Sequence, residues 1–526
     1  MGALYTCPIT VISFAEPLPG GNFQIRTPIP PFMFLIDLLK FIGILFLVLL
    51  VFNFIIIIHE WGHFLAARWR GLKIEKFQIW MGKTVWQRTW NGVQYGLGTI
   101  PIGGFVQLPQ MAPMGAIEGR SSSEPLPPVK PLDKIIVAFA GPLFSLLLAF
   151  AFACGVALTG KPVKPEEQIA RIGFTKIGEP AEKSGLLKAG DIIHEIDGKP
   201  IKRFFGLTNS VMWAIAAGTS DDVVLKIQSP GDTEPRTVTV HAPLSEQKNY
   251  KEWKEETGWL SKLFSRPPLR RLGIYPAAEG KVKEIDKNSP AAEAGIQKGD
   301  IILTINGQKT YHPEYVNELA QARPVEPIKL TIQREGKVVD ATIIPRIPDK
   351  PKDAKEARTG IAMFEELNPD ERIYEYPSPF TLVADCFRNT YATFKALVAP
   401  KSSIGVSQMS GPVGIMNLYY NIFQSPYWWR LVLWFSVVLN VGLAIFNMLP
   451  LPVLDGGHIT MALLEMVRGK ALGAKLMEYV QVVCVLCLLS FVLFVTFKDV
   501  GGIFGGEKGE KVEWLPSQPP TSQATP

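Results

Sequence analysis

Residues 59–63 read His-Glu-Trp-Gly-His and follow without a break on 41–58, a run that contains no charged residue. No other feature limits the fold as much. Two histidines four positions apart lie on one face of a helix and can share a tetrahedral metal, while the glutamate between them can act as a general base. The run before them is long enough to cover most of a hydrocarbon layer about 30 Å thick. Histidine and glutamate ending such a helix are costly in lipid, so they read as functional: His59 and His63 as metal ligands, Glu60 as the base. Counted from residue 41, His59 stands about 27 Å along the helix, close to the far face of the layer.

Three further uncharged stretches, 135–158, 431–449 and 479–497, are each able to cross a bilayer, which accounts for a charged fraction of only 19%. The chain is therefore expected to be a multi-span α-helical membrane protein with four transmembrane helices and the lipid bilayer as a partner. The first run starts some forty residues in and lacks a small-x-small exit, so it reads as a retained helix rather than a cleaved signal; residues 1–34 before it form an uninformative N-terminal segment. The net charge of +6 is local and is not a nucleic-acid signal: residues 68–134 carry nine Lys and Arg against four Asp and Glu. That bias places the loop in the cytoplasm, and both termini with the block between spans two and three outside. The five cysteines make no disulfide framework, and Cys484 and Cys487, mid-helix in an apolar run, read as packing.

The block between spans two and three holds an internal repeat. GEPAEKSGLLKAGDII at 178–193 matches NSPAAEAGIQKGDII at 288–302, and each continues into a hairpin signal, Ile196-Asp197-Gly198 and Ile305-Asn306-Gly307. These residues resemble the PDZ domain in the form found in bacterial envelope proteases, which implies two small β-barrel or sandwich domains, at 165–245 and 268–348. PDZ domains bind extended peptides by adding a strand to a sheet edge. A peptide ligand and a ligand-free steric baffle both remain open. Residues 367–400 carry Phe380, Val383, Phe387, Tyr391, Phe394 and Leu397 at helical spacing, either an interfacial amphipathic helix or one packed on the repeat pair. The tail, 499–526, has the Gly-, Pro- and Ser-rich composition of a disordered segment.

Two histidines leave a zinc short of ligands. The candidate third is Asp455, in NMLPLPVLDGGH at 447–458, where two prolines and two glycines should break the third span and turn the carboxylate inward. The other reading of Asp455 is an interfacial helix cap. His458 adjoins the motif, yet three protein ligands already complete a catalytic zinc, so it reads as packing or support. His194, His241 and His312 read as ordinary residues of the repeat region.

With HExGH ending the first span and N-x-x-P-x-P-x-L-D-G-G ending the third, the chain resembles the site-2 protease family of intramembrane zinc metalloproteases, in its branch with two PDZ domains between spans two and three. The resemblance covers roughly 35–498, with the first two spans in 35–160 and the last two in 428–498. It implies Zn²⁺ as cofactor, His59, His63 and Asp455 as its ligands, and Glu60 as the residue that activates water. It implies further that Asn447 aids substrate or oxyanion binding. Residues 98–106 resemble the family's membrane-reentrant β-loop, where Gly103, Gly104 and Phe105 would line a substrate added as a strand; the alternative is a hairpin shielding the site. After Ala140-Gly141-Pro142, this chain has Ser145 where the family often has asparagine, a departure not expected to alter catalysis.

The implied activity is cleavage of the transmembrane segment of a single-pass protein, the second of two cuts in regulated intramembrane proteolysis, releasing a fragment such as an anti-sigma factor at a bacterial inner membrane. Two other readings compete. A catalytically idle PDZ adaptor predicts eroded ligands, whereas His59, Glu60, His63 and Asp455 are all present. A membrane-anchored protease of soluble peptides predicts a metal motif outside the spans.

Overall fold

The structure is a computed structural model that describes residues 31–111, 127, 129–163, 168–256, 258–350, 356–367, 373–470, 474–504 and Trp514. Residues 1–30, and everything beyond Phe504 except Trp514, lie outside the described residues, and with them most of the expected disordered tail. Among the described residues, four helices are long and apolar enough to cross a membrane: Leu38–Trp69, Pro131–Thr159, Trp428–Asn447 and Met477–Ile503.

Helix α1 (Pro31–Trp69) does not stop where its apolar run stops. Nothing in His-Glu-Trp-Gly-His breaks a helix, and the turns beyond it bury Phe64 and Ala67. The chain leaves at Gly71, whose φ of 72° is the left-handed conformation glycine allows. It then forms a four-stranded sheet from β1 (Lys76–Met81), β2 (Trp86–Trp90), β3 (Val93–Leu97) and β4 (Ile100–Gln107), in the order β2-β3-β1-β4. Strand β4 is therefore an edge, and it lies along α1. Asn53, a polar residue inside the first span, donates from Nδ2 to the Pro101 carbonyl at 3.1 Å and fastens the start of that edge to the helix. Phe64, Phe77 and Tyr95 form a ring cluster that holds the other end, with centroids 5.6–6.2 Å apart.

Helix α2 (Pro131–Thr159) packs against α1 and delivers the chain to β5 (Lys161–Val163). Two sheet units follow. The first contains β6 (Ile172–Thr175), α3 (Pro180–Ser184), β7 (Ile192–Ile196), β8 (Lys199–Pro200), α4 (Val211–Ala217), β9 (Asp222–Gln228) and β10 (Arg236–His241). Helices α5 (Lys248–Glu256) and α6 (Trp259–Phe264) lead through β11 (Ile274–Pro276) to the second. That unit has β12 (Gly280–Ile285), α7 (Pro290–Glu293), β13 (Ile301–Ile305), β14 (Gln308–Lys309), α8 (Tyr315–Ala322), β15 (Ile328–Arg334), β16 (Lys337–Ile343) and β17 (Ile361–Glu366).

The repeat is visible in its turns. Asp197-Gly198 and Asn306-Gly307 take positive φ at both positions, and the two side chains accept from the Val224 and Lys329 amides at 3.0 and 2.9 Å. Asp191 and Asp300 likewise close equivalent loops by accepting from the Lys188 and Gln297 amides. Each unit is completed by a strand from further along the chain: β11 pairs with β6, with Leu272 and Ile274 in the first core, and β17 pairs with β12.

Strand β18 (Ile373–Glu375) pairs antiparallel with β5, so the chain leaves and re-enters the helical bundle at one place. Helix α9 (Pro379–Val398) packs on α2 through Leu382 and Cys386 and meets the first unit through Ala396, which clusters with Trp213. The aromatic stripe noted in the sequence largely faces outward, with Phe380 and Tyr391 more than 70% exposed. Helices α10 (Pro412–Phe423), α11 (Trp428–Asn447), α12 (Asp455–Arg468) and α13 (Ala474–Phe504) complete the chain. Helix α13 runs six residues into the stretch read as tail.

Candidate metal centre

Three helices converge where α1 passes α2 and α11 ends. His59 and His63 sit one turn apart on α1 with their Nε2 atoms 3.3 Å from each other. The third member comes from the break after α11. Helix α11 stops at Asn447, the chain turns through 448–454, and α12 begins at Asp455. Gly456 and Gly457 make this turn feasible: a Cβ on either would collide with the carbonyls of 448, 449 and 451. Asp455 Oδ2 then lies 3.2 Å from His59 Nε2, and Oδ1 lies 3.3 Å from His63 Nε2. Zinc–nitrogen bonds of 2.0–2.1 Å in tetrahedral geometry place neighbouring donors about 3.3 Å apart, so the donor triangle fits a zinc ion in both size and chemistry. Among the described residues, this is the one group of three or more His, Cys, Asp and Glu that could hold a metal.

The far side of each imidazole is also held. His63 Nδ1 donates to the Val137 carbonyl at 2.8 Å, which fixes the ring with Nε2 facing the centre. His59 Nδ1 meets Ser145 Oγ at 2.9 Å. Both partners are on α2, which comes this close because Gly62 and Gly141 lie at the crossing. A Cβ on Gly62 would be 2.9 Å from that of Phe144, and one on Gly141 would enter the donor triangle.

Asn447 Nδ2 is 3.3 Å from His59 Nε2, so the asparagine faces the same centre. Glu60 points into a cavity of about 870 Å³ whose walls include Ile56, Phe105, Val106, Leu443 and Asn447. The Val106 backbone N–H faces its carboxylate. Gly104 brings β4 against Glu60, where an added Cβ would come to 3.8 Å from Glu60 Cγ. Gly103, at φ 81°, faces Met81 instead. His458 lines the cavity but stands outside the donor triangle. The Val137 carbonyl and the contact made by Ser145 were not legible in the sequence, because neither belongs to a local pattern.

A metal-binding triangle built from apolar, membrane-length helices, with a glutamate beside it, defines a membrane-embedded metalloprotease. The chain belongs to peptidase family M50, whose model matches residues 47–491, and it is a zinc metalloprotease and an integral membrane protein. It is 27% identical over 438 residues to protease RseP of Yersinia pestis, covering 81% of this chain and 91% of that protein. It is also 27% identical over 469 residues to the regulator of sigma-E protease RseP of Escherichia coli K12, covering 85% and 94%. A Vibrio cholerae protein with zinc metalloprotease in its name is 26% identical over 459 residues, with coverage of 82% and 92%.

Proposed function

We propose that this chain is an intramembrane endopeptidase that cuts the transmembrane segment of a single-pass protein in regulated intramembrane proteolysis. The observation that carries the reading is the placement of Glu60 between the donor triangle and the free edge of β4. His59, His63 and Asp455 are the zinc ligands. A zinc ion held there supplies Lewis-acid polarisation of a carbonyl and acidifies a water. Glu60 takes a proton from the attacking water and passes it to the leaving amide nitrogen. Asn447, donating from Nδ2, is placed to steady the oxygen on which negative charge develops. A helical substrate shields its own peptide bonds, so it must unwind locally; once extended, it adds to β4 beside Gly104 and Phe105, with Gly103 letting the strand bend away.

The two sheet units are read as PDZ domains on the outer face, where they either hold a peptide or exclude substrates whose ectodomain is intact. The positive loop 68–134 supports a site near the cytoplasmic face of a bacterial inner membrane, and a cut there releases a cytoplasmic fragment such as an anti-sigma factor. Co-expression with tagged single-pass reporters, pre-trimmed outside the membrane, tests the reading. Wild type should cut them and Glu60→Gln should not; equal cutting by both removes Glu60 from catalysis. Unchanged zinc content in Asp455→Ala would remove Asp455 from the ligand set.

A further inference from the structure

Trp514 is the one described residue beyond Phe504, and it is only 5% exposed. Its indole Nε1 donates to Oδ2 of Asp286 at 3.1 Å, and its ring lies 5.5 Å from the Arg346 guanidinium. Asn288 Nδ2 donates to its carbonyl oxygen at 3.4 Å. All three partners belong to the second sheet unit: Asp286 and Asn288 to the loop between β12 and α7, Arg346 to the chain just after β16. The notch is built independently of the tryptophan. Arg346 is paired with Glu293 of α7 at 3.0 Å, and the Asp286 amide donates to the Gly360 carbonyl at 2.9 Å.

The repeat shows what is particular to this notch. Aligning 178–185 with 288–295 places Lys176, Gly178 and Lys183 of the first unit where the second has Asp286, Asn288 and Glu293. The backbone device is common to both, since Lys176 donates to the Gly273 carbonyl as Asp286 does to that of Gly360. The side chains differ in the groups that meet Trp514. A lysine at the first position offers an indole N–H no acceptor, and a glycine at the second offers its carbonyl no donor. Among the described residues, only the copy with the acceptor carries such a tryptophan.

We propose that Trp514 is a ligand of the second unit in cis, a latch that ties that unit to the outer end of α13. Nine residues lie between Phe504 and Trp514, so the two can be at most about 35 Å apart along the chain. A covalent connection this short keeps Trp514 at millimolar effective concentration, enough for a single buried tryptophan with two polar contacts to stay docked. The latch acts on a helix already joined to the extramembrane part, because α13 packs on α6 and α10 and its Asp499 pairs with Arg266 at 2.8 Å. The second unit and the fourth span are thereby held as one body.

Hydrogen exchange on the full-length protein in detergent tests this, read at the amides of residues 285–294. Trp514→Ala should speed exchange there at least fivefold, and a synthetic peptide of residues 508–520 should restore protection, whereas the same peptide with alanine at 514 should not. Asp286→Lys, which installs the first unit's residue, should raise exchange and resist rescue. Unchanged exchange in Trp514→Ala, or equal rescue by the alanine peptide, overturns the proposal.

Discussion

Ser145 Oγ lies 2.9 Å from Nδ1 of His59, across the crossing of α1 and α2 and 86 residues away in sequence. Read from sequence alone, Ser145 was a harmless departure from an asparagine. In the structure it holds the outer nitrogen of a proposed ligand, and such supporting contacts typically carry 10–100-fold in metal affinity. Ser145→Ala should weaken zinc binding by about that factor, measured by competition with a chelator. Ser145→Asn keeps an acceptor at this place and should stay near wild type. Equal affinity in the alanine variant would show that His59 is held by packing alone.

Gly141 offers a sharper test of the triangle. A Cβ there would stand 2.8 Å from His59 Nε2 and closer still to that of His63, whereas one on Gly43 of the same bundle would meet nothing within 4 Å. Gly141→Ala should therefore cut zinc content to less than about a tenth, while Gly43→Ala should leave it unchanged, both by elemental analysis of purified protein. The control matters because both substitutions put a methyl on a membrane helix.

What could be read in advance was local. His59 and His63 share a helix face by spacing alone, Asp455-Gly456-Gly457 announces a break, and Asp197-Gly198 and Asn306-Gly307 announce hairpins. The helix ends were harder to read, since hydropathy marks the lipid-facing run 41–58 while α1 continues through the polar motif to Trp69. Contacts set by the register of one helix on another left no local trace: Ser145 with His59, the Val137 carbonyl with His63, Asn53 with Pro101. The same holds for α10, which no motif marked, although Tyr419 is fully buried against α11. Strands β11 and β17 went unread because each completes a sheet whose other strands lie far upstream.

The junction between the sheet units and the last span rests on a buried charge. Asp499 has no exposed side-chain surface, receives the Gly411 and Gly414 amides at 2.9 and 2.7 Å, and pairs with Arg266. Lys498 beside it donates to the Ser265 carbonyl at 2.7 Å. Removing one partner leaves an uncompensated buried charge, so Arg266→Ala should cost about 3–5 kcal/mol. The double variant Arg266→Met with Asp499→Leu should recover much of that loss. Denaturant unfolding in detergent, followed through the accessibility of α6 to a protease, reads both.

His312 makes the contact between the units sensitive to acid. Its ring packs edge-on against Phe174 of the first unit at 5.3 Å, next to the stacked Phe174–Tyr275 pair, and its Nδ1 accepts from the Glu314 amide at 3.2 Å. Burial pushes the imidazole from its ordinary value near 6.5 down to about 4. Between those values the unfolded chain binds a proton that the folded one refuses, so stability is complete above pH 6.5 and falls as the pH drops toward 4. The loss near pH 5 is about 2 kcal/mol. Urea unfolding of the full chain at pH 7.5 and pH 5 should show this decrease in wild type, and His312→Gln should flatten it. An undiminished slope in the variant would move the acid sensitivity to other groups.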